Sequence, residues 1–222
     1  MSNLRSIEYL LMNKDDPWLL FSCQRTEFDE PEFQERSWLT ELRPIGYLDL
    51  ETFLAGRQAP KHRTHIRELL ERYGCDDLEG FLRVTHALSL NDTFWVKESG
   101  ASLRWDDVSL YRNEFDALVS EAAFDGTISE QELSSTSPEF GTDGFYAKCW
   151  VREQEQVFLV KSGSALYEIE PVSEFLCSQL AAALHVDHVS YDLAHYHDKL
   201  VSKCPLFTSE EVGLAKASAV FR

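Results

Sequence analysis

Two short apolar runs in the C-terminal half of the chain constrain its fold more than any other feature. Residues 145–151 alternate between apolar side chains and polar or aromatic ones, which is the two-residue period of a half-buried strand. Residues 157–161 form a second apolar run that ends on Lys161, and a polar break at residues 154–156 separates the two runs. We therefore predict a β-hairpin whose second strand ends on a lysine.

A turn with two glycines, Gly141 and Gly144, comes directly before this hairpin. The backbone N–H groups of a glycine turn can approach phosphate oxygens, and a lysine on a following strand can supply positive charge. Gly141, Gly144 and Lys161 are therefore candidates for phosphate binding. The alternative interpretation is an ordinary hairpin turn beside a solvated lysine.

A helix is expected to follow the hairpin, because Pro171 suits a first helical position, where its missing N–H has no partner. Glu174 lies one turn into this helix and is expected to reach back to Lys161. One apolar face of the helix is predicted to pack on the sheet. This face consists of Val172, Leu176, Leu180, Ala183 and Leu184. A second hairpin, with strands at residues 189–195 and 200–202, would complete a small antiparallel sheet.

A strand lysine, a helix glutamate and a glycine turn are the parts of a kinase N-terminal lobe. In this order and spacing the chain resembles the HipA-like protein kinases over about residues 40–210. The residues that match the family's phosphate loop are Thr142, Asp143, Gly144, Lys148 and Trp150. The other matching segments are residues 88–97, 105–108, 158–163, 170–174 and 184–191.

The resemblance implies a site for ATP, with Mg²⁺ expected only together with ATP. The residues of this site are Gly141, Thr142, Asp143, Gly144, Lys148, Lys161 and Glu174, with Lys203 and Cys204 in a hinge whose backbone would bind adenine. Up to Arg222 there is no His-x-Asp-x-x-x-x-Asn pattern and no Asp-Phe-Gly-like motif. The catalytic base and the metal ligands of phosphoryl transfer are therefore expected to be missing, and we assign no catalytic residue. ATP affinity is expected to be weak, because half a pocket buries only part of the ligand.

Upstream of this unit, residues 1–125 are interpreted as a mixed N-terminal region and residues 126–222 as the nucleotide-binding region. A linker rich in Gly, Ser, Thr and Glu is predicted between them, at residues 125–139. The elements predicted for the first region are strands at 7–12, 18–23 and 94–96, an irregular connection at 24–46, helices capped by Asp49, Thr64 and Asp76, and helical or irregular pieces at 105–110 and 115–124. A last helix is expected from Thr208. The predicted fold class is α+β.

Composition and charge narrow the class of protein. The chain has 222 residues, of which 44% are hydrophobic, so it is expected to be globular. Its formal net charge of −17 disfavours a protein that binds the nucleic-acid backbone, which needs a basic surface. No stretch reaches about 18 apolar residues, so nothing is predicted to span a membrane. The five cysteines include no Cys-x-x-Cys pair, which fits reduced thiols in a cytoplasmic protein.

Three functions compete for this chain. The first is the ATP-binding half of a HipA-like serine/threonine kinase, truncated or split and not catalytic alone. The second is a non-catalytic protein-interaction or regulatory module of a toxin–antitoxin-like system. The third is a DNA-binding regulator, which the acidic composition disfavours. Its DNA contacts would come from Arg63, Arg67, Arg72 and Arg83.

Two further expectations concern partners and metals. An apolar cleft face near Ala147, Val160 and Leu206, with Trp150 at its edge, is expected to be covered by the N-terminal region, a second copy or a partner chain. The sequence His195-x-His197 would place two rings on one strand face, but no third ligand has metal-site spacing. We therefore predict no metal site.

Overall fold

Four antiparallel strands form the first sheet of the computed structural model, which describes residues 6–127, 134, 137–164 and 166–220. The strands are β1 (Ile7–Asn13), β2 (Asp16–Arg25), β3 (Pro31–Trp38) and β4 (Phe94–Glu98), in the order β3-β2-β1-β4. The predicted N-terminal hairpin and the strand at residues 94–96 are confirmed. The connection predicted at residues 24–46, with short pieces of structure, contains a whole strand, β3. Charged side chains are typical of an edge strand. In β3 they interrupt the alternation of apolar residues by which a strand is predicted from sequence.

Three short helices pack on one face of this sheet. They are α1 (Leu50–Ala55), α2 (Ile66–Arg72) and α3 (Leu78–Thr85). Asp49 caps α1 as predicted, since its side chain accepts a hydrogen bond from Thr52 N at 2.8 Å. Two predicted caps are wrong by one residue: Asp77 caps α3 instead of Asp76, and α2 begins after His65.

The next helices connect the first sheet to the rest of the fold. They are α4 (Trp105–Val108) and α5 (Ala117–Asp125), followed by a 3₁₀ helix at Pro138–Gly141. Helix α5 places Val119 in the core of the first sheet and Phe124 in the core of the second. Of the predicted linker, residues 128–133, 135 and 136 lie outside the described residues. The division into residues 1–125 and 126–222 stays a prediction, because the preceding helix contacts both regions.

The second sheet consists of β5 (Lys148–Glu153), β6 (Gln156–Ser162), β7 (Asp192–Tyr196) and β8 (Lys199–Pro205). Their order is β5-β6-β8-β7, and helix α6 (Glu170–Ala183) lies between β6 and β7 in the sequence. Both predicted hairpins and the helix are confirmed, and with them the α+β class. Strand β5 begins later than predicted, because Phe145 and Tyr146 belong to the preceding turn and are exposed.

Helix α6 packs on the second sheet through a face that sequence analysis did not predict. Pro171 and Ser178 are its buried residues, whereas Leu176, Leu180 and Leu184 are exposed. The prediction that the leucines face the sheet is therefore wrong. The buried face instead carries Glu174, whose carboxylate bonds to groups on the sheet.

The C-terminal segment runs back along the N-terminal region. The prediction of a helix from Thr208 is wrong, because the helix there, α7, covers only Ala217–Val220. Thr208 instead donates a hydrogen bond from Oγ1 to the Leu90 carbonyl at 2.5 Å, and Leu214 N donates to the Asn91 carbonyl at 2.7 Å. Within the described part of the chain, no helix is long and apolar enough to cross a lipid bilayer.

Candidate functional site

Lys161 and Glu174 form the centre of the candidate site. Lys161 lies near the end of β6, and its Nζ donates to Glu174 Oε1 on α6 at 2.5 Å and to the Tyr191 hydroxyl at 3.2 Å. The second carboxylate oxygen of Glu174 accepts a hydrogen bond from Ser202 Oγ on β8. The predicted lysine–glutamate pair is therefore present, and it connects the helix to two strands.

The environment keeps Lys161 charged. Burial alone would lower the pKa of its ammonium group, but the hydrogen bonds and charges of Glu174 and Tyr191 outweigh burial and raise the pKa above the ordinary value. The ammonium also lies 4.6 Å from the centre of the Tyr191 ring, a distance suited to a cation–π contact. The side chain is thus a fixed positive charge.

Lys148 is directly opposite Lys161 in the antiparallel pairing of β5 with β6. Directly paired residues project from the same face of a sheet, so two lysine side chains share one face. Lys148 is buried, and its Nζ donates to the Asp143 carbonyl at 2.8 Å. Burial, with the nearby charges of Arg63 and Lys161, lowers the pKa of Lys148 to about 8.

The turn at Asp143 and Gly144 lies in close contact with the side chain of Lys148. Gly144 has φ of +103°, a conformation that favours glycine, and a Cβ at this position would lie 2.2 Å from Lys148 Nζ. The Gly144 N–H donates to Asp143 Oδ1 at 2.7 Å, and Lys216 from the C-terminal segment pairs with Asp143 Oδ2 at 2.9 Å. The hydrogen bond from Lys216, assisted by the Gly144 N–H, lowers the pKa of Asp143.

The other two predicted turn residues make contacts inside the protein. A Cβ on Gly141 would meet the Leu88 carbonyl oxygen at 2.7 Å, so glycine is needed there for packing against the N-terminal region. Thr142 Oγ1 donates to the Pro138 carbonyl at 2.7 Å and accepts from Trp150 Nε1 at 2.8 Å. The structure therefore gives Gly141 and Thr142 structural roles, and it places Asp143 and Gly144 next to the lysine pair.

Arg63 is a residue of this neighbourhood that sequence reasoning missed. It is only 2% exposed, and its Nη1 donates to the Thr142 carbonyl at 2.8 Å. Its Nε and Nη2 atoms have no hydrogen-bond partner within the described residues. Burial, partly offset by the charge of Glu139, lowers the pKa of Arg63 to about 10. No local signal could have found this contact, because Arg63 and Thr142 are far apart in sequence.

Lys203 and Cys204 lie inside β8 and not in a connection after it. Lys203 pairs with Val160 on one side and Asp192 on the other, so its backbone is part of the sheet. Its side chain projects from the face opposite Lys161 and pairs with Glu153 at 2.6 Å. Cys204 is buried, and burial raises the pKa of its thiol. A role for these two residues in binding adenine stays a prediction.

Two of the residues predicted to form a cleft face, Val160 and Trp150, lie on opposite faces of the second sheet, and Trp150 shares the face of Lys148. Val160 alternates with Lys161 along β6, so it projects from the other face, where it packs with Phe124 of α5. Trp150 and Leu206 pack against an apolar cluster of the N-terminal region. The assignment of Val160 to the nucleotide face is therefore wrong. Val160, Trp150 and Leu206 pack against residues of the N-terminal region, and coverage of this surface by a second copy or a partner chain stays a prediction.

The arginines proposed for DNA contact are not arranged as a basic surface. Arg63 is buried, as described above, and Arg67 pairs with Glu71 on the same helix at 2.9 Å. Arg83 follows Asp77 and Glu79 on α3, and those two carboxylates pair with Arg25. The helical block thus presents mixed charge, which is poorly suited to phosphates.

No protein-family model, no curated protein and no solved structure matches this chain. The class of site is therefore defined by its geometry alone. The site consists of a lysine–glutamate pair that joins a strand to a helix, a buried lysine on the neighbouring strand, and a glycine turn next to that buried lysine.

Proposed function

We propose that residues 126–222 form a nucleotide-binding unit that resembles the N-terminal lobe of HipA-like serine/threonine kinases. The ligand is ATP, and Mg²⁺ enters only as the ion that ATP brings. The sequence contains no pattern for a catalytic base or for kinase metal ligands, so the proposal assigns binding, and not phosphoryl transfer, to these 222 residues.

The Lys161–Glu174 pair is the observation that carries this proposal. In protein kinases a strand lysine contacts the nucleotide phosphates and pairs with a glutamate on the following helix. Here the lysine lies on β6, the glutamate lies on α6, and the two side chains are joined at 2.5 Å. A carboxylate in this position holds the ammonium in one place, which reduces the entropy lost when a phosphate binds.

Lys148 would supply the second positive charge. An ammonium has three donors, and among the described residues only the Asp143 carbonyl accepts a hydrogen bond from Lys148 Nζ. A phosphate near Gly144 would therefore meet the free donors of Lys148 and the charge of Lys161 on one face of the sheet. A bound phosphate would also favour the charged form of Lys148, whose pKa burial has lowered.

Calorimetric titration with ATP·Mg²⁺ tests the proposal. We expect a Kd on the order of 1 mM, about 4 kcal/mol of binding free energy, because one lobe encloses only part of the ligand. Lys161→Ala and Lys148→Ala should each weaken binding by about tenfold or more, since each removes a charge from the phosphates.

Lys199→Ala is the matched control for these variants. Lys199 belongs to the same sheet and also pairs with a carboxylate, Asp125 at 3.0 Å, but it packs over Phe124 on the side away from Lys161. Its loss should leave ATP binding unchanged. Equal losses at Lys199 and Lys161 would contradict a specific site, and so would ATP binding that survives both Lys148→Ala and Lys161→Ala.

A second candidate function is a non-catalytic regulatory module. The observation that favours it is the turn, where the Gly144 N–H is already bonded to Asp143 Oδ1 and Lys216 holds the same carboxylate. A phosphate would have to displace these contacts to reach the N–H group. If the titration detects no ATP at millimolar concentration, this function takes precedence.

A further inference from the structure

The outward side of α6 is apolar over the second half of the helix. Leu176, Leu180 and Leu184 follow at intervals of four residues, so they line one side, and they are 58%, 59% and 64% exposed. Pro171 and Ser178 are buried on the other side, against the second sheet. Helix α6 therefore has one covered side and one apolar side that no described part of the chain covers.

Two more exposed apolar residues flank the helix. Ile169, just before the helix, is 59% exposed, and Val186, just after it, is 55% exposed. Single exposed apolar residues are normal on protein surfaces, but larger contiguous apolar patches mark interaction sites. We call the surface made by Ile169, Leu176, Leu180, Leu184 and Val186 the α6 face.

The stretch of sequence that contains the α6 face has formal charges of one sign. Between Lys161 and Lys199 the sequence contains no lysine and no arginine. The exposed carboxylates of this segment are Glu168, Asp187, Asp192 and Asp198. The α6 face thus belongs to a segment that contains carboxylates and neither lysine nor arginine.

We propose that the α6 face is the docking site for a basic amphipathic helix of another protein. Helices pack side by side when ridges of apolar side chains interlock, and the four-residue spacing of the leucines provides such a ridge. Lysines and arginines beside the partner's apolar stripe would face the carboxylates of this segment, which favours encounter and selects the partner. This inference goes beyond nucleotide binding and does not depend on it.

A second copy of this chain is a poor occupant of the same surface. Two copies would bring together the same acidic segment, and each chain carries a net charge of −17. Like charges across an interface oppose association and suppress that pairing. The partner is therefore expected to be a different chain of opposite charge.

Fluorescence at Cys177 provides a direct test on the whole chain. Cys177 lies on α6, and it is exposed, whereas the other cysteines, Cys23, Cys75, Cys149 and Cys204, are buried. An environment-sensitive dye on Cys177 would be titrated with a synthetic leucine/lysine helix of about 18 residues, long enough to be helical. A leucine/glutamate helix with the same leucine positions is the control peptide.

The basic peptide should bind, the acidic peptide should not, and high salt should weaken binding several-fold by screening. Leu180→Asp should lower the affinity by about tenfold or more, because it places a charge at the centre of the contact. Leu42→Asp is the matched control variant, since Leu42 is also exposed, at 62%, but lies outside the α6 face. Circular dichroism should show both variants folded.

Three results would overturn the proposal. Equal binding of both peptides would show that charge does not select the partner. Unchanged binding by Leu180→Asp would place the contact elsewhere. Self-association in sedimentation that Leu180→Asp abolishes would make a second copy the occupant.

Discussion

The two sheets have the same number of strands and the same antiparallel pairing, but they are buried in different ways. Apolar clusters cover both faces of the first sheet, so that Val96 packs into one cluster and its neighbour Trp95 into another. The second sheet packs its own apolar cluster with Phe124 on one face, and its other face holds Lys148 and Lys161 beside Trp150. This difference is why we propose the first sheet as the scaffold and the second as the bearer of the ligand site.

Truncation of a core side chain should change the free energy of unfolding more than any other substitution considered below. Phe21→Ala in the first sheet should lower the free energy of unfolding by about 3–5 kcal/mol, because Phe21 is fully buried and stacks on Tyr9. Val160→Ala in the second sheet should cost about 2 kcal/mol, since a smaller side chain is lost from a smaller core. Urea unfolding measures both values, and a larger cost at Val160 would reverse the assignment of the scaffold.

The pH dependence of Lys148 should give the next largest effect. Its pKa is near 10.5 in the unfolded chain and about 8 in the folded one. Between pH 8 and pH 10.5, Lys148 is mostly protonated in the unfolded chain and mostly deprotonated in the folded chain. Raising the pH through this range therefore favours folding. Compared with Lys148→Met, the wild type should gain up to about 3 kcal/mol between pH 8 and pH 10.5.

Unfolding of both proteins at several pH values from 7 to 10.5 checks this expectation. Cysteines and tyrosines that titrate in the same range are common to the two proteins, so the difference between them isolates Lys148. The difference should be flat below pH 8. A flat difference over the whole range would mean that burial does not oppose the charge on Lys148.

The smallest effect is expected at the Lys216–Asp143 ion pair. Both side chains are largely exposed, at 77% and 59%, and exposed pairs contribute little. Lys216→Ala should change the free energy of unfolding by at most about 0.5 kcal/mol. A loss above about 1 kcal/mol in urea unfolding would show that this pair holds the C-terminal segment on the turn.

Local patterns were sufficient to predict much of the second sheet. The apolar run of β6 and the position of Pro171 predicted a strand and a helix. Glu174 follows Lys161 closely enough in the sequence for the pair to be predicted. Such a pair can be predicted once the end of one strand and the first turns of the next helix have been located. The hairpin of β7 and β8 followed from the same kind of local signal.

Other features were not accessible to local patterns. Helix α6 has apolar residues on two sides, and periodicity cannot tell which side is buried, so Leu180 was assigned to the core. The charges of β3 resemble those of a loop because an edge strand is open to water. The contact of Arg63 with Thr142 depends on how two distant segments pack, which no local window contains.

The path of the C-terminal segment has a consequence for the order in which the protein is made. A ribosome delivers the chain from its N-terminus, and domains tend to fold as they emerge. The first sheet is complete once β4 has emerged, but the Leu90 carbonyl receives its bond from Thr208 only after more than a hundred further residues. Until then the Leu90 carbonyl has its bond from the Tyr111 hydroxyl, at 2.8 Å, but the Asn91 carbonyl lacks its bond from Leu214 N. In a chain stalled before Thr208 the first sheet would therefore be complete, and the Asn91 carbonyl would be left to water.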